Sequence, residues 1–258
     1  MIHNLFSVPI FKENIGHLIN ADSIRCAISP LFDDGKEHNV ELEKNGGVST
    51  YAVNRQLHEI PALTELVTQV MKRVRVFWNI LDVNKGLVPK IDECWSNLHP
   101  TGGFTDTHSH SLMPVVVSFY LSAPENSGGI VFTNPMEYSL SHIPYNDPIE
   151  GKTETTVKVE TGDILLFPGY LRHKTQVNYS DQDRIVITFN IRPEGIYLDS
   201  SSEYPIIKTN LVSESNDVDE FTVNTDIGSI DLLVNKLYNQ ELIIEELTSF
   251  ISGDKNER

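Results

Sequence analysis

The sequence predicts an α+β protein: a mainly β sandwich or barrel with helices laid against one face. Outside the C-terminal end, helical apolar stripes are confined to about the first 90 residues. From about residue 90 the chain becomes a series of short apolar or alternating runs. Gly and Pro signals (SGG, NP, TGD and FPG) recur between those runs, as turns between strands require. Helices first and strands second place the helices as a buttress on the β core.

The elements follow in order. Residues 4–10, LFSVPIF, read as a short strand, and a helix is expected at about 13–29 with Ile15, Leu18, Ile19 and Ile24 on one face. Residues 30–50 are polar and read as loops. A second helix is expected at about 61–78, with Pro61 in its first turn and Leu63, Leu66, Val67, Val70, Met71 and Val74 at helical spacing. That stripe reads as core packing against a sheet. Strands are expected at 91–98, 114–121, 129–132, 155–160, 163–167 and 184–191. The long polar stretch 133–154 between two of them reads as a lid or binding loop. Residues 194–258 are acidic and end in an amphipathic helix expected at about 230–251, with Ser229 as its N-cap. That helix docks on the main domain or pairs two copies as a homodimer.

Composition bounds the function. A hydrophobic content of 40% fits a globular chain and excludes general disorder. A formal charge of -16 repels polyanions over most of the surface, so nucleic acid is a poor partner. Cys26 and Cys94 lie far apart and read as two buried thiols of a reducing compartment. No signal peptide is evident, and no apolar run approaches the roughly 20 residues of a membrane span. A soluble, cytoplasmic protein is expected.

Three histidines carry the chemistry. His108 and His110 stand two apart in THSH. On an extended strand that spacing puts both side chains on one face, about 7 Å apart at Cα. His173 follows an apolar run in FPGYLRH, and a barrel gathers such strand ends at its mouth. Imidazole suits Fe, Zn, Cu and Ni, and a facial set with open positions suits an Fe(II) that also binds a co-substrate and O2. His3, His17, His58, His99 and His142 lack such partners and read as structural or surface residues. Arg184 opens the strand RIVITFNI. Its plain reading is a solvated charge at a strand end. Inside a barrel, however, its guanidinium needs an anion, and its planar fork suits a carboxylate. Tyr120 either donates its hydroxyl to that carboxylate or packs as an ordinary core aromatic.

With these residues placed, the segment from Trp95 to Pro193 resembles the 2-oxoglutarate/Fe(II)-dependent oxygenase superfamily. It resembles especially the bacterial and phage group that carries H-x-H in place of H-x-D. The stretches that carry the likeness are WSNLHPTGGFTDTHSHS, VSFYLSAPENSGGIVFTNP and GDILLFPGYLRHKTQVNYSDQDRIVITFNIRP, with GGVST at 46–50 and the N-terminal LFSVPIF. The resemblance implies a double-stranded β-helix (jelly-roll) core, Fe(II) at its mouth, and 2-oxoglutarate and O2 as co-substrates. It maps His108 to the first metal ligand, His110 to the place of the usual carboxylate and His173 to the distal ligand. Arg184 falls on the residue that salt-bridges the far carboxylate of 2-oxoglutarate, and Tyr120 on an assisting hydroxyl. Asp106, on the same face as the H-x-H pair, is a substitute ligand. The implied activity is a hydroxylase that couples decarboxylation of 2-oxoglutarate to succinate with substrate oxidation.

The expected organisation is an oxygenase domain at 1–193, with helical support over about 1–90 and the jelly-roll core over about 91–193, followed by the acidic extension 194–258. Two rivals stand beside it: a three-histidine, cupin-like metalloenzyme without 2-oxoglutarate, and a non-catalytic jelly-roll binding module. Arg184 argues against the first. An acidic surface fits a basic or neutral primary substrate, such as a protein or peptide side chain.

Overall fold

The computed structural model describes residues 7–35, 45–137 and 153–195. Among the described residues, nine strands form two antiparallel sheets. β1 (Phe11–Asn14), β2 (Val48–Ser49), β3 (Leu87–His99), β4 (Val115–Ser122), β7 (Asp163–Phe167) and β9 (Arg184–Gly195) make the larger, in the order β1-β7-β4-β9-β3-β2. β5 (Ile130–Thr133), β6 (Glu154–Val157) and β8 (His173–Thr175) make the smaller, in the order β6-β5-β8.

The segment carrying His108 runs antiparallel beside β8. His108 and His173 exchange both backbone hydrogen bonds at 2.9 Å, and Thr175 N donates to Thr105 O at 3.0 Å. Counting that segment, the chain passes from β3 to the smaller sheet and then to β4 in the larger. It continues through β5 and β6 in the smaller, β7 in the larger, β8 in the smaller and β9 in the larger. Two sheets wound alternately in this way are a double-stranded β-helix, so the expected jelly-roll core is present.

Two apolar cores flank the larger sheet. Its outer face presents Val115, Val117, Phe119, Ile164, Leu166, Ile185, Ile187, Phe189 and Ile191 to the helices α1 (Ala21–Gly35) and α2 (Thr64–Ile80). Leu66, Val70, Val74 and Phe77 of α2 are fully buried there, so the stripe of the second helix is core, as its spacing predicts. Its inner face presents Val116, Tyr120, Leu165, Phe167 and Val186 to Ile130, Phe132 and Leu171 of the smaller-sheet side. Strict alternation along β4, β7 and β9 therefore feeds both cores at once, which is why these strands read as continuous apolar runs.

The N-terminal region departs from expectation. Residues 7–10 are not a strand; β1 begins at Phe11 and pairs with β7 through Phe11–Leu166 to Asn14–Asp163. As an edge strand it needs only one apolar face, so FKEN looked polar in the sequence. The first helix starts at Ala21, and a single 3-10 turn occupies Gly16–Leu18. The cause is Asn20, whose Oδ1 accepts from Ser23 N at 3.1 Å and caps the helix. Its buried face is Ile24, Ile28 and Phe32. Cys26 on that helix is exposed, against the expectation of a buried thiol, while Cys94 is buried.

β9 runs to Gly195, beyond the expected strand end, and keeps its ladder with Leu87–Pro89 of β3. Most of the expected binding loop, the extension beyond Gly195 and its helix lie outside the described residues. No helix among the described residues is long and apolar enough to cross a membrane.

Candidate metal centre

The H-x-H motif does not sit in a named strand. It lies in an extended segment held by the single bridge to His173 and by His110 N donating to Gly169 O at 2.8 Å. The FPG turn makes this approach possible: a Cβ on Gly169 would meet the carbonyl oxygens of Met113 and His110. The three imidazoles converge. Ring centroids stand 5.2 Å apart for His108 and His110, 4.3 Å for His108 and His173, and 5.3 Å for His110 and His173.

Their tautomers follow from their partners. His108 Nδ1 meets the Asp106 carbonyl at 2.8 Å, His173 Nδ1 the Leu171 carbonyl at 2.8 Å, and His110 Nδ1 the Asn190 Oδ1 at 2.6 Å. Oxygens of this kind only accept, so each Nδ1 carries the hydrogen and each Nε2 keeps a lone pair. One donor atom from each ring lies within 4.8 Å of the others. His110 Nε2 is buried without a protein partner, as a ligand atom awaiting a cation would be. Burial holds the rings neutral. It lowers His173 to about 3, with His108 adding to the shift, and lowers His110 to about 4 against the opposing effect of its hydrogen bond to Asn190. His108 is exposed as a residue at the rim, yet desolvation of its ring also lowers its pKa.

Below the histidines the cavity is lined by Asn97, His99, Thr105, Tyr120, Thr175 and Thr188, among others. Arg184, fully buried, is not itself a lining residue but stands behind one, Thr175. Its Nη1 donates to Ser127 O and, at 2.9 Å, to Gln176 O, while Nη2 donates to Thr175 Oγ1 at 2.9 Å. Its Nε is buried and unpartnered. Gly128 makes room for it: a Cβ there would lie 3.3 Å from Arg184 Nη1 and 2.7 Å from Gln176 Cβ, at a φ of +80°. Among the described residues no carboxylate pairs with the guanidinium, and burial lowers its pKa to about 10. A buried cation satisfied only by neutral oxygens lacks the anion that would offset its desolvation. Tyr120 is also buried, and burial raises its pKa, with Arg184 pulling the other way.

The structure thus brings His108, His110 and His173 together, with Tyr120 lining the same cavity and Arg184 behind its wall at Thr175. Asp106 is left out of the cluster: it is exposed, and its Oδ2 accepts from Asn45 Nδ2 at 2.9 Å. His99, read from sequence as structural or surface, lines the cavity instead. Its Nε2 meets Thr105 Oγ1 at 2.7 Å and its Nδ1 is buried without a partner. Asn190 was missed as well. The signal for both was parity. In RIVITFNI the residues at 184, 188 and 190 are polar, and on β3 their partners are His99, Trp95 and Glu93. Polar residues confined to one parity of an otherwise apolar strand mark the face of a cavity.

The fold and the site together define a jelly-roll protein with three histidine donors for a metal and a buried cation behind the cavity wall. Residues 93–190 match the family model described as "Putative 2OG-Fe(II) oxygenase". No curated protein matches the chain in sequence. Among solved structures, a Pseudomonas putida prolyl-4-hydroxylase is similar at 17% identity, covering 72% of this chain and 94% of that one, with a TM-score of 0.46. HygX from Streptomyces hygroscopicus, with nickel, 2-oxoglutarate and hygromycin B bound, is similar at 14% identity over 72% and 83% of the two chains, with a TM-score of 0.45. The α-ketoglutarate-dependent epimerase SnoN from nogalamycin biosynthesis is similar at 12% identity over 72% and 76%, with a TM-score of 0.46.

Fe(II) and 2-oxoglutarate are the metal and co-substrate of the matched family. The donors present fit both: imidazole nitrogens suit iron, and a guanidinium with free N–H suits a carboxylate.

Proposed function

We propose that this chain is an Fe(II)/2-oxoglutarate-dependent hydroxylase that converts 2-oxoglutarate to succinate as it oxidises its primary substrate. The observation that supports this most is Arg184, a buried guanidinium with no carboxylate beside it among the described residues, hydrogen-bonded to Thr175 in the wall of the cavity that the three histidines also line. Metal chemistry that needed no anionic co-substrate would give no reason to bury such a cation.

When bound, Fe(II) and 2-oxoglutarate supply the activation of O2 that no side chain can supply. The chain's own residues do the rest. His108, His110 and His173 would hold the metal through Nε2, on one side only, leaving its other positions open. Arg184 would hold the far carboxylate of the co-substrate with its spare N–H groups, and Tyr120 would donate to it. His99 stays neutral beside Arg184, so it adds no positive charge to that of the guanidinium. The free space in the cavity is about 40 Å³, room for a few waters. Seating a diacid therefore requires lining side chains to turn. The substrate we propose is a protein or peptide side chain, basic or neutral, as an acidic surface favours.

The test is anaerobic addition of Fe(II) and then 2-oxoglutarate to the metal-free protein, watching for the visible charge-transfer band of the chelate. The expected result is a band that disappears in His173→Ala and in Arg184→Ala. Metal binding with no band would point to a three-histidine metalloenzyme without 2-oxoglutarate. No metal binding would point to a non-catalytic jelly-roll module.

A further inference from the structure

The metal site has an imidazole where a carboxylate would be expected, yet a carboxylate stands close behind it. His110 Nδ1 donates to Asn190 Oδ1 at 2.6 Å, and Asn190 Nδ2 donates to Glu93 Oε2 at 3.2 Å. Glu93 Oε1 in turn accepts from Arg55 Nη1 at 3.1 Å. The chain of donors has one direction. A carboxylate only accepts, so the amide of Asn190 must present its NH2 to Glu93 and its oxygen to His110. That oxygen then fixes the hydrogen of His110 on Nδ1 and frees Nε2, the atom that is buried and unpartnered.

The backbone is arranged to make this possible. β3 carries a bulge between Ile91 and Glu93, so Ile91 pairs with Ile191 while Glu93 pairs with Asn190. The extra residue switches the faces of the strand. From Glu93 onward the alternate residues of β3 oppose the cavity-facing residues of β9, as in Glu93–Asn190, Trp95–Thr188 and His99–Arg184. Bulges re-aim side chains in this way beside functional sites. A second set of contacts braces the same ring: Trp95 stacks on His110 at 5.7 Å and 19°, Tyr51 meets Trp95 edge-on at 5.1 Å, and the Arg55 guanidinium lies 5.0 Å over the Tyr51 ring.

We propose that Glu93 and Asn190 are positioning residues that orient His110 as a metal ligand and lend the three-histidine site the negative charge it lacks in its first ring of donors. Partners that hydrogen-bond the far nitrogen of a ligating histidine fix its tautomer and raise its basicity. Here the carboxylate acts through an amide rather than directly. The proposal rests on the metal site proposed above, and its test separates the two.

The experiment is calorimetric titration of the full chain with Ni(II) and Co(II), which bind imidazole sites and do not oxidise in air, with the Co(II) absorption spectrum as a second readout. His173→Ala tests the site itself. If the unsubstituted chain binds neither metal, or His173→Ala binds as tightly, the metal site falls. If the site stands, Glu93→Gln keeps an acceptor for Asn190 but removes the charge, and the expected loss of affinity is about tenfold. Asn190→Leu removes the relay and is expected to lose up to about 100-fold and to shift the Co(II) spectrum. The discriminating variant is the exchange Glu93→Gln/Asn190→Asp. It restores one negative charge and both hydrogen bonds, with the carboxylate now directly on His110, and should recover the affinity that Glu93→Gln alone loses. Wild-type affinity and an unchanged Co(II) spectrum in Glu93→Gln, or no recovery in the exchange variant while its melting temperature stays near that of the unsubstituted chain, would overturn the relay and leave the metal site standing.

Discussion

At His99, burial is the main cause that lowers the imidazole pKa, and the nearby Arg184 charge adds to it, bringing it to about 3. An unfolded histidine titrates near 6.5. Between those values the unfolded chain binds a proton that the folded chain refuses, so folding gains stability as pH rises. The contribution is fully present above about pH 6.5 and is lost as pH falls toward 3, at up to about 1.4 kcal/mol per pH unit for each such group. His173 and His110, lowered to about 3 and about 4, add to the same slope in the metal-free protein. Urea denaturation of the metal-free chain from pH 7.5 down to pH 5 should therefore show falling stability, with a shallower slope in His99→Leu by about one proton's worth. An equal slope in the variant would mean that His99 is not held neutral by the fold. The sequence made the metal-side histidines legible because H-x-H is a local pattern. His99 was not, because only its pairing with Arg184 across β3 and β9 reveals which way it faces.

The elements differ in how well they could be read, and the reason is where each finds its partners. β4, β7 and β9 are buried on both faces, so their apolar runs announce them with ends off by a few residues at most. β1 and the start of α1 depend on an edge pairing and a single capping side chain, which an apolar stripe does not report. The H-x-H segment is held by neither propensity nor period. It is held by the turn at Pro168–Gly169, against which His110 N and Met113 are seated. Gly169→Ala would place a methyl against two carbonyl oxygens of that segment and push it off β8. Overpacking of this kind costs about 1–3 kcal/mol. Because the displaced segment carries two of the three donors, Ni(II) affinity should fall at least about tenfold while the rest of the fold persists. Calorimetric titration and a thermal melt of the same variant check both effects. Loss of stability with unchanged Ni(II) affinity would show that the turn braces the fold and not the site.

Charge is distributed unevenly over the whole chain. Residues 196–258 hold thirteen acidic and four basic side chains, so they carry more than half of the net charge of -16. The jelly-roll unit is correspondingly less acidic, and its exposed ion pairs, such as Lys90–Glu194 and Arg172–Glu137, contribute little to stability. Among the described residues, β9 completes its ladder with β3 at Gly195, and both apolar cores are made of residues within 8–191. A chain ending at Gly195, rather than at Pro193 where the ladder would be cut short, should fold and bind Ni(II) within about twofold of the full chain, since the proposed donors and their partners among the described residues all lie before it. The same pair of proteins tests the proposal that the C-terminal segment joins two copies. An apolar face at Ile230, Leu233, Leu237, Ile244, Leu247 and Ile251 would have to bury itself against something. Sedimentation should then show a dimer for the full chain and a monomer for the shortened one, with the same metal affinity per chain. Two monomers would end the dimer proposal. A shortened chain that fails to fold would place the missing contacts of the oxygenase unit in the acidic segment and make the two parts one domain.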